Sequence, residues 1–113
     1  MKTIIAGSRT ITNYQLVEDA VKECGWDVSY VISGHANGVD KLGEIWAANN
    51  NIICHVIPAD WDIFGRKAGF LRNIEMAKKS EALVLIWDGK SKGSKMMLEI
   101  AKRKGLMIYE KVV

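Results

Sequence analysis

A chain of 113 residues, 49% hydrophobic and 26% charged, is sized for one soluble globular domain that buries roughly two thirds of its unfolded surface, which excludes a second domain and a disordered or fibrous chain. A formal net charge of +3 is too small for a protein that coats nucleic acid, although many of the lysines fall between Lys90 and Lys111. The first apolar run stops at Gly7, too short for a signal peptide or membrane span, and Cys24 and Cys54 show neither Cys-x-x-Cys spacing nor a second pair, so a cytosolic domain with two reduced core thiols and no zinc or disulfide framework is expected.

Residues 3–6 form a short apolar β-run. Thr12-Asn13-Tyr14-Gln15 has capping-box spacing ahead of Leu16, Val17, Ala20, Val21 and Cys24 at helical period, and Gly25 stops that helix. A second strand over 28–32 leads into a glycine loop, after which Val39, Leu42, Ile45, Trp46 and Asn49 mark one face of a helix that ends at Asn49-Asn50-Asn51. Residues 52–57 read as a third strand, stopped by Pro58, and a helix follows over roughly 67–79. The fourth strand, 82–87, is the most continuously apolar and belongs inside the sheet. A helix over roughly 95–104, with Met97, Ile100 and Ala101 facing inward and Gly105 as its stop, then leads to a last strand over 106–109.

Five strands alternating with four helices predict an α/β, Rossmann-like three-layer domain over residues 1–113. Its parallel sheet carries helices on both faces, with right-handed crossovers and a reversal of strand order near the first strand. Such folds bind ligands at the carboxyl ends of the strands, and four strand-to-helix loops here carry glycine beside Ser, Asp, Asn, Arg or Lys.

Each loop has a chemical reading and a plain one. Gly7-Ser8-Arg9 offers open amides and a guanidinium that can fork onto a phosphate or carboxylate; it also reads as a tight turn with a solvated arginine. In Ser33-Gly34-His35-Ala36-Asn37-Gly38-Val39-Asp40, the glycines free the backbone to approach a ligand, and Asp40 lies in the first helical turn, where it can face a ribose hydroxyl, hold a neighbouring loop or simply answer the helix dipole. His35 is expected at the surface and His55, in mid-strand, packed. The stretch from Pro58 to Asn73 gathers Asp60, Trp61, Asp62, Phe64, Arg66 and Arg72; Trp61 can stack on a base with Arg72 and Asn73 reaching back over the site, or Trp61 and Phe64 can plug the core with Asp60 as a cap. Asp88-Gly89-Lys90-Ser91-Lys92-Gly93-Ser94 offers amides and a hydroxyl to a phosphate without being a Walker sequence, or it is a lysine-rich loop with Ser94 as helix cap.

Taken together, Gly7-Ser8-Arg9, Ser33-Gly34-x-Ala36-x-Gly38-Val39-Asp40, Pro58-Ala59-Asp60-Trp61 with Gly65, Ala68-Gly69 and Arg72-Asn73-x-x-Met76-Ala77, and Asp88-Gly89-x-Ser91-x-Gly93-Ser94 resemble the SLOG superfamily, and within it the small single-domain group related to YspA and YpsA. The resemblance runs in order along nearly the whole chain. It implies a Rossmann-like fold and a nucleotide-derived ligand. Related LOG phosphoribohydrolases carry a Pro-Gly-Gly-x-Gly-Thr-x-x-Glu loop that supplies a catalytic acid; the matching stretch here, Gly93-Ser94-Lys95-Met96-Met97, puts methionine in that place, and a thioether can neither stabilise a ribosyl cation nor act as a base. Glu99 lies about half a turn further along and faces elsewhere. The Gly34 loop also resembles that of DprA, which binds single-stranded DNA; the modest charge here speaks against that partner.

The expected function is a module that binds a nucleotide-derived, ADP-ribose-like or cyclic-nucleotide signal, as a sensor or, if phage-encoded, as a sequestering sponge. Gly7, Ser8, Arg9, Gly34, Gly38, Asp40, Gly93 and Ser94 would surround phosphate and ribose, Trp61 and Arg72 would complete the pocket, and Ser33, His35, Asn37, Asp60, Asn73 and Gly89 are further candidates. The alternatives are a LOG-type phosphoribohydrolase with Asp40 or Asp60 as substitute acid, and a DprA-like nucleic-acid module. No cofactor, metal or membrane is expected, and homo-oligomerisation through Trp46, Phe70, Met76 and Met96 is.

Overall fold

The computed structural model describes all residues, Met1–Val113. Strands β1 (Lys2–Gly7), β2 (Tyr30–Ser33), β3 (Cys54–Val56), β4 (Ala82–Trp87) and β5 (Met107–Val112) pair in parallel in the order β3-β2-β1-β4-β5. Helices α1 (Tyr14–Glu23) and α2 (Val39–Asn49) lie on one face. There Val17, Ala20, Val39, Trp46 and Ala47 pack on Ile5, Val31, Val84 and Ile86. On the other face, α4 (Ala68–Lys78) and α5 (Lys92–Lys104) set Met76, Ala77, Met97, Leu98 and Ala101 on Ile4, Ile32, Leu83 and Leu85. Because alternate residues of each strand feed opposite cores, β1 is apolar over Ile4–Ala6 and β4 throughout, and β4 is buried along its whole length. The predicted α/β fold is therefore the one observed.

Several boundaries shift for physical reasons. Asn13 caps α1, accepting from the Gln15 amide at 3.0 Å, so the capping residue is one position later than Thr12. Strand β3 is an edge strand and shrinks to its middle, although Val31 N still donates to the Ile53 carbonyl and Ile57 N to that of Ser33. At the opposite edge β5 runs past Tyr109, pairing Glu110, Lys111 and Val112 with Leu85, Ile86 and Trp87, a pairing hidden in the sequence by the charges. Helix α5 starts earlier than residue 95 because Ser91, not Ser94, caps it, accepting from the Ser94 amide at 3.4 Å. Ahead of α4, a single helical turn α3 (Trp61–Phe64) and a 3₁₀ turn (Gly65–Lys67) stand where a loop was expected. Both cysteines are free, Cys24 buried and Cys54 half-buried, and no helix is long and apolar enough to cross a membrane.

Candidate functional site

Connections from β1 move outward to β2 and β3, and then return to β4 and β5 on its other side. The carboxyl ends of β1 and β4 therefore form the crevice where such sheets hold ligands. Gly7 and Ser8 build its floor. A Cβ on Gly7 would sit 1.8 Å from the Ile86 carbonyl oxygen, so only glycine lets β1 lie this close to β4 there. Ser8 is buried and joins three elements: its amide donates to the Ile86 carbonyl, its carbonyl accepts from the Val39 amide at the start of α2, and its Oγ accepts from the Asp88 amide. Gly38, at φ +80°, closes the same joint, since a Cβ there would fall 2.3 Å from the Ser8 carbonyl oxygen.

Above this floor lies a cavity of about 330 Å³. Arg9, Asp40, Trp61, Arg66, Arg72 and Asn73 supply its polar and aromatic walls, and Ser91, Gly93 and Ser94 place the first turn of α5 at one end. A second cavity of about 250 Å³ adjoins it and shares Arg9, Ala36, Trp61 and Arg72; its further walls are Gly34, His35, Asn37, Pro58 and Ala59. The Lys92 and Gly93 amides bond nothing within the protein, whereas the Ser94 amide is taken by Ser91 and the Lys90 and Ser91 amides by Asp88 Oδ1. Those two amide bonds hold the Asp88 carboxyl below the ordinary aspartate range.

Arg72 sits where the two cavities meet. Its Nη1 donates to the Gly34 carbonyl at 2.6 Å and its Nε to Asn73 Oδ1 at 2.9 Å, so both bonds fix the guanidinium before any ligand arrives. Burial lowers its pKa, while the charge of nearby Asp40 opposes the shift; it remains a cation. Asp40 is buried in the first turn of α2 and accepts from the Ala36 amide at 3.2 Å. Loss of hydration pushes its carboxyl up to about 6, against the favourable pull of that amide and of Arg72.

A third group surrounds Glu44. Its Oε2 accepts from Ser33 Oγ at 2.8 Å and lies 2.9 Å from His35 Nδ1, while the His35 amide donates to Ser33 Oγ at 3.1 Å. His35 takes φ +61°, a left-handed backbone that costs a non-glycine residue roughly 1–2 kcal/mol.

The candidate residues thus divide. Gly7, Arg9, Asp40, Trp61, Arg72, Asn73, Gly93 and Ser94 line the first cavity, and Gly34, His35 and Asn37 the second. Ser8, Ser33, Gly38 and Gly89 line neither; Ser8 and Gly38 form the floor joint, and Ser33 supports Glu44. Asp60 caps α3, accepting from the Ile63 amide, and lines neither cavity; it lies in a more open depression that shares Pro58, Ala59 and Trp61 with the second. Sequence reasoning passed over Glu44, whose signal was its position one turn after Asp40 on the same face of α2. Arg66, noted in its stretch but given no role, is brought to the wall by the 3₁₀ turn. Trp61 and Phe64 are exposed rather than core plugs, whereas Trp46 and Met76 are core residues unavailable to a docking surface.

A doubly wound parallel sheet with an arginine-rich double cavity at its switch point defines a Rossmann-like domain of the kind that takes nucleotide-derived ligands. The YspA, cpYpsA-related SLOG family matches residues 1–64, and the chain belongs to it; membership implies a nucleotide-derived ligand in general. The matched segment spans β1 to α3 and so includes the Gly7, Gly34 and Trp61 loops. The chain is also similar to the Gene 61 protein of Mycobacterium phage D29, 30% identical over 116 residues that cover 95% of this chain and 93% of that protein. No solved structure gives a significant match.

Proposed function

We propose that the chain binds a phosphate- and ribose-containing nucleotide derivative in the double cavity and holds it intact. One observation carries this reading: Arg9, Arg66, Arg72 and Gly93, whose amide is unengaged, line one cavity, while Met97 occupies the wall. Guanidinium forks and free amides suit a phosphate ester, and the half-exposed Trp61 ring offers a face for a base. Met97 supplies neither a proton nor a negative charge to a breaking glycosidic bond. We read the role as sequestration of such a compound rather than sensing; the similar protein is phage-encoded.

A second reading, hydrolysis of the base–ribose bond, draws on Asp40. It lines the cavity with a carboxyl pushed up to about 6, a group that can hold a proton near neutrality. One experiment separates the two. Purified protein is incubated with nucleoside monophosphates, ADP-ribose and cyclic ADP-ribose, and mass spectrometry records what is retained and what is formed. Retention of one intact compound supports binding alone; free base with a ribose phosphate supports the enzyme. Retention of none, with no product, removes both.

A further inference from the structure

The second cavity poses a chemical question of its own. Its side chains offer two guanidinium donors, Arg9 and Arg72, but acceptors are scarce. Asn37 Oδ1 accepts from Lys41 Nζ at 3.2 Å, and the Gly34 carbonyl is taken by Arg72. The remaining side-chain acceptor is the imidazole of His35. Its Nδ1 faces both carboxylate oxygens of Glu44, at 3.1 and 2.9 Å, and Nε2 bonds nothing in the protein.

A carboxylate beside Nδ1 accepts a proton and cannot donate one, so the neutral ring carries its hydrogen on Nδ1 and leaves the Nε2 lone pair bare. Ser33 reinforces the arrangement from below, because its hydroxyl donates to Glu44 and accepts the His35 amide. The left-handed backbone at His35 is the conformation in which the ring reaches Glu44 while still lining the cavity.

We propose that Glu44 is a positioning residue that fixes the tautomer of His35, and that His35 Nε2 accepts a hydrogen bond from a sugar hydroxyl of the ligand in the second cavity. The ligand class follows. Phosphate oxygens meet Arg9 and Arg72 where the cavities join, and a hydroxyl-bearing sugar extends beyond the phosphate toward His35. A nucleoside diphosphate carrying a terminal sugar has this form, and a plain nucleoside diphosphate lacks that second sugar and its hydroxyls. This assignment rests on nucleotide binding as proposed above.

The tautomer is testable without a ligand. Long-range ¹H–¹⁵N spectra of labelled protein at alkaline pH, with His35→Gly used to distinguish His35 from His55, should show the hydrogen of His35 on Nδ1. In Glu44→Ala the ring should revert toward the Nε2–H form, and Glu44→Gln, whose amide oxygen can still accept, should partly restore the native pattern. An Nε2–H ring in the native protein overturns the proposal. Binding is then compared for ADP-ribose and ADP. A preference of about tenfold for ADP-ribose is expected, shrinking to near unity in His35→Gly and in Glu44→Ala. Equal affinities in the native protein, or a preference that survives His35→Gly, overturn the role of His35 and leave nucleotide binding standing. Binding of neither compound overturns both.

Discussion

Arg72 and Gly34 fit together in two ways: Nη1 of Arg72 donates to the Gly34 carbonyl at 2.6 Å, and a Cβ on Gly34 would stand 2.7 Å from the same nitrogen and 2.8 Å from Asp40 Oδ2. The absent side chain is therefore the space in which a cation from α4 and a carboxyl from α2 meet the β2 loop. Gly34→Ala should displace both groups, costing about 1–3 kcal/mol of stability and at least about tenfold in nucleotide affinity. Chemical denaturation and a ligand titration check the two effects, and unchanged values in both would place Arg72 outside the site.

Arg72→Lys keeps the charge and loses the fork. A lysine cannot serve the Gly34 carbonyl, Asn73 Oδ1 and a phosphate from one planar group, so affinity should fall about tenfold or more, with about 1–2 kcal/mol of stability lost as well. A lysine variant that binds like the native protein would show that charge alone is read there.

Gly93 separates binding from folding. It sits in the first turn of α5 with open space where a side chain would project. Gly93→Ala should stabilise the helix by about 0.5–1 kcal/mol, whereas Gly93→Leu should fold normally and still exclude the ligand from that end of the cavity. Thermal unfolding and nucleotide titration of both variants decide it; a leucine variant with native affinity would move the phosphate away from α5.

The Asp40 carboxyl titrates at about 6 because it is buried, against about 3.9 in an unfolded chain. The native state therefore holds this proton more tightly, and stability drawn from it is full below about pH 4 and lost as pH rises toward 6. Two pH units correspond to about 3 kcal/mol. Asp40→Asn retains an acceptor for the Ala36 amide and should flatten this part of the profile, ending more stable than the native chain at neutral pH. Glu23 and Asp88, both held low by hydrogen bonds, act in the opposite sense in both proteins and cancel in the comparison. Urea unfolding from pH 4 to 7 gives the answer, and parallel profiles would contradict a carboxyl whose burial outweighs the Ala36 amide and Arg72.

Much of this architecture was legible in the sequence because parallel strands buried on both faces read as unbroken apolar runs, as 82–87 does, and because glycine at 7, 34 and 38 marks close backbone approach. The edges read poorly. β3 and β5 each have one unpaired side, so hydropathy does not follow their ladders. The Glu44 cluster was hidden for another reason: an acid on an amphipathic helix looks like solvated surface until Ser33 and His35, from a different element, are brought to it by the fold. Trp61 was ambiguous between core and ligand wall, and only the short α3 turn, which buries none of its residues, places it outside the core.

The three-way joint at Ser8 ties β1, α2 and the β4 loop into one unit, whereas residues Trp61 to Lys67 on the opposite wall contribute nothing to either core. The two walls of the site thus differ in what it takes to displace them. The glycine side is tied to the sheet by those bonds, and we expect accommodation to ligands of different size to fall to the turn bearing Trp61 and Arg66. Substitutions there can retune which nucleotide derivative fits while leaving the fold intact, so this wall is where related chains can diverge in ligand choice at little structural cost.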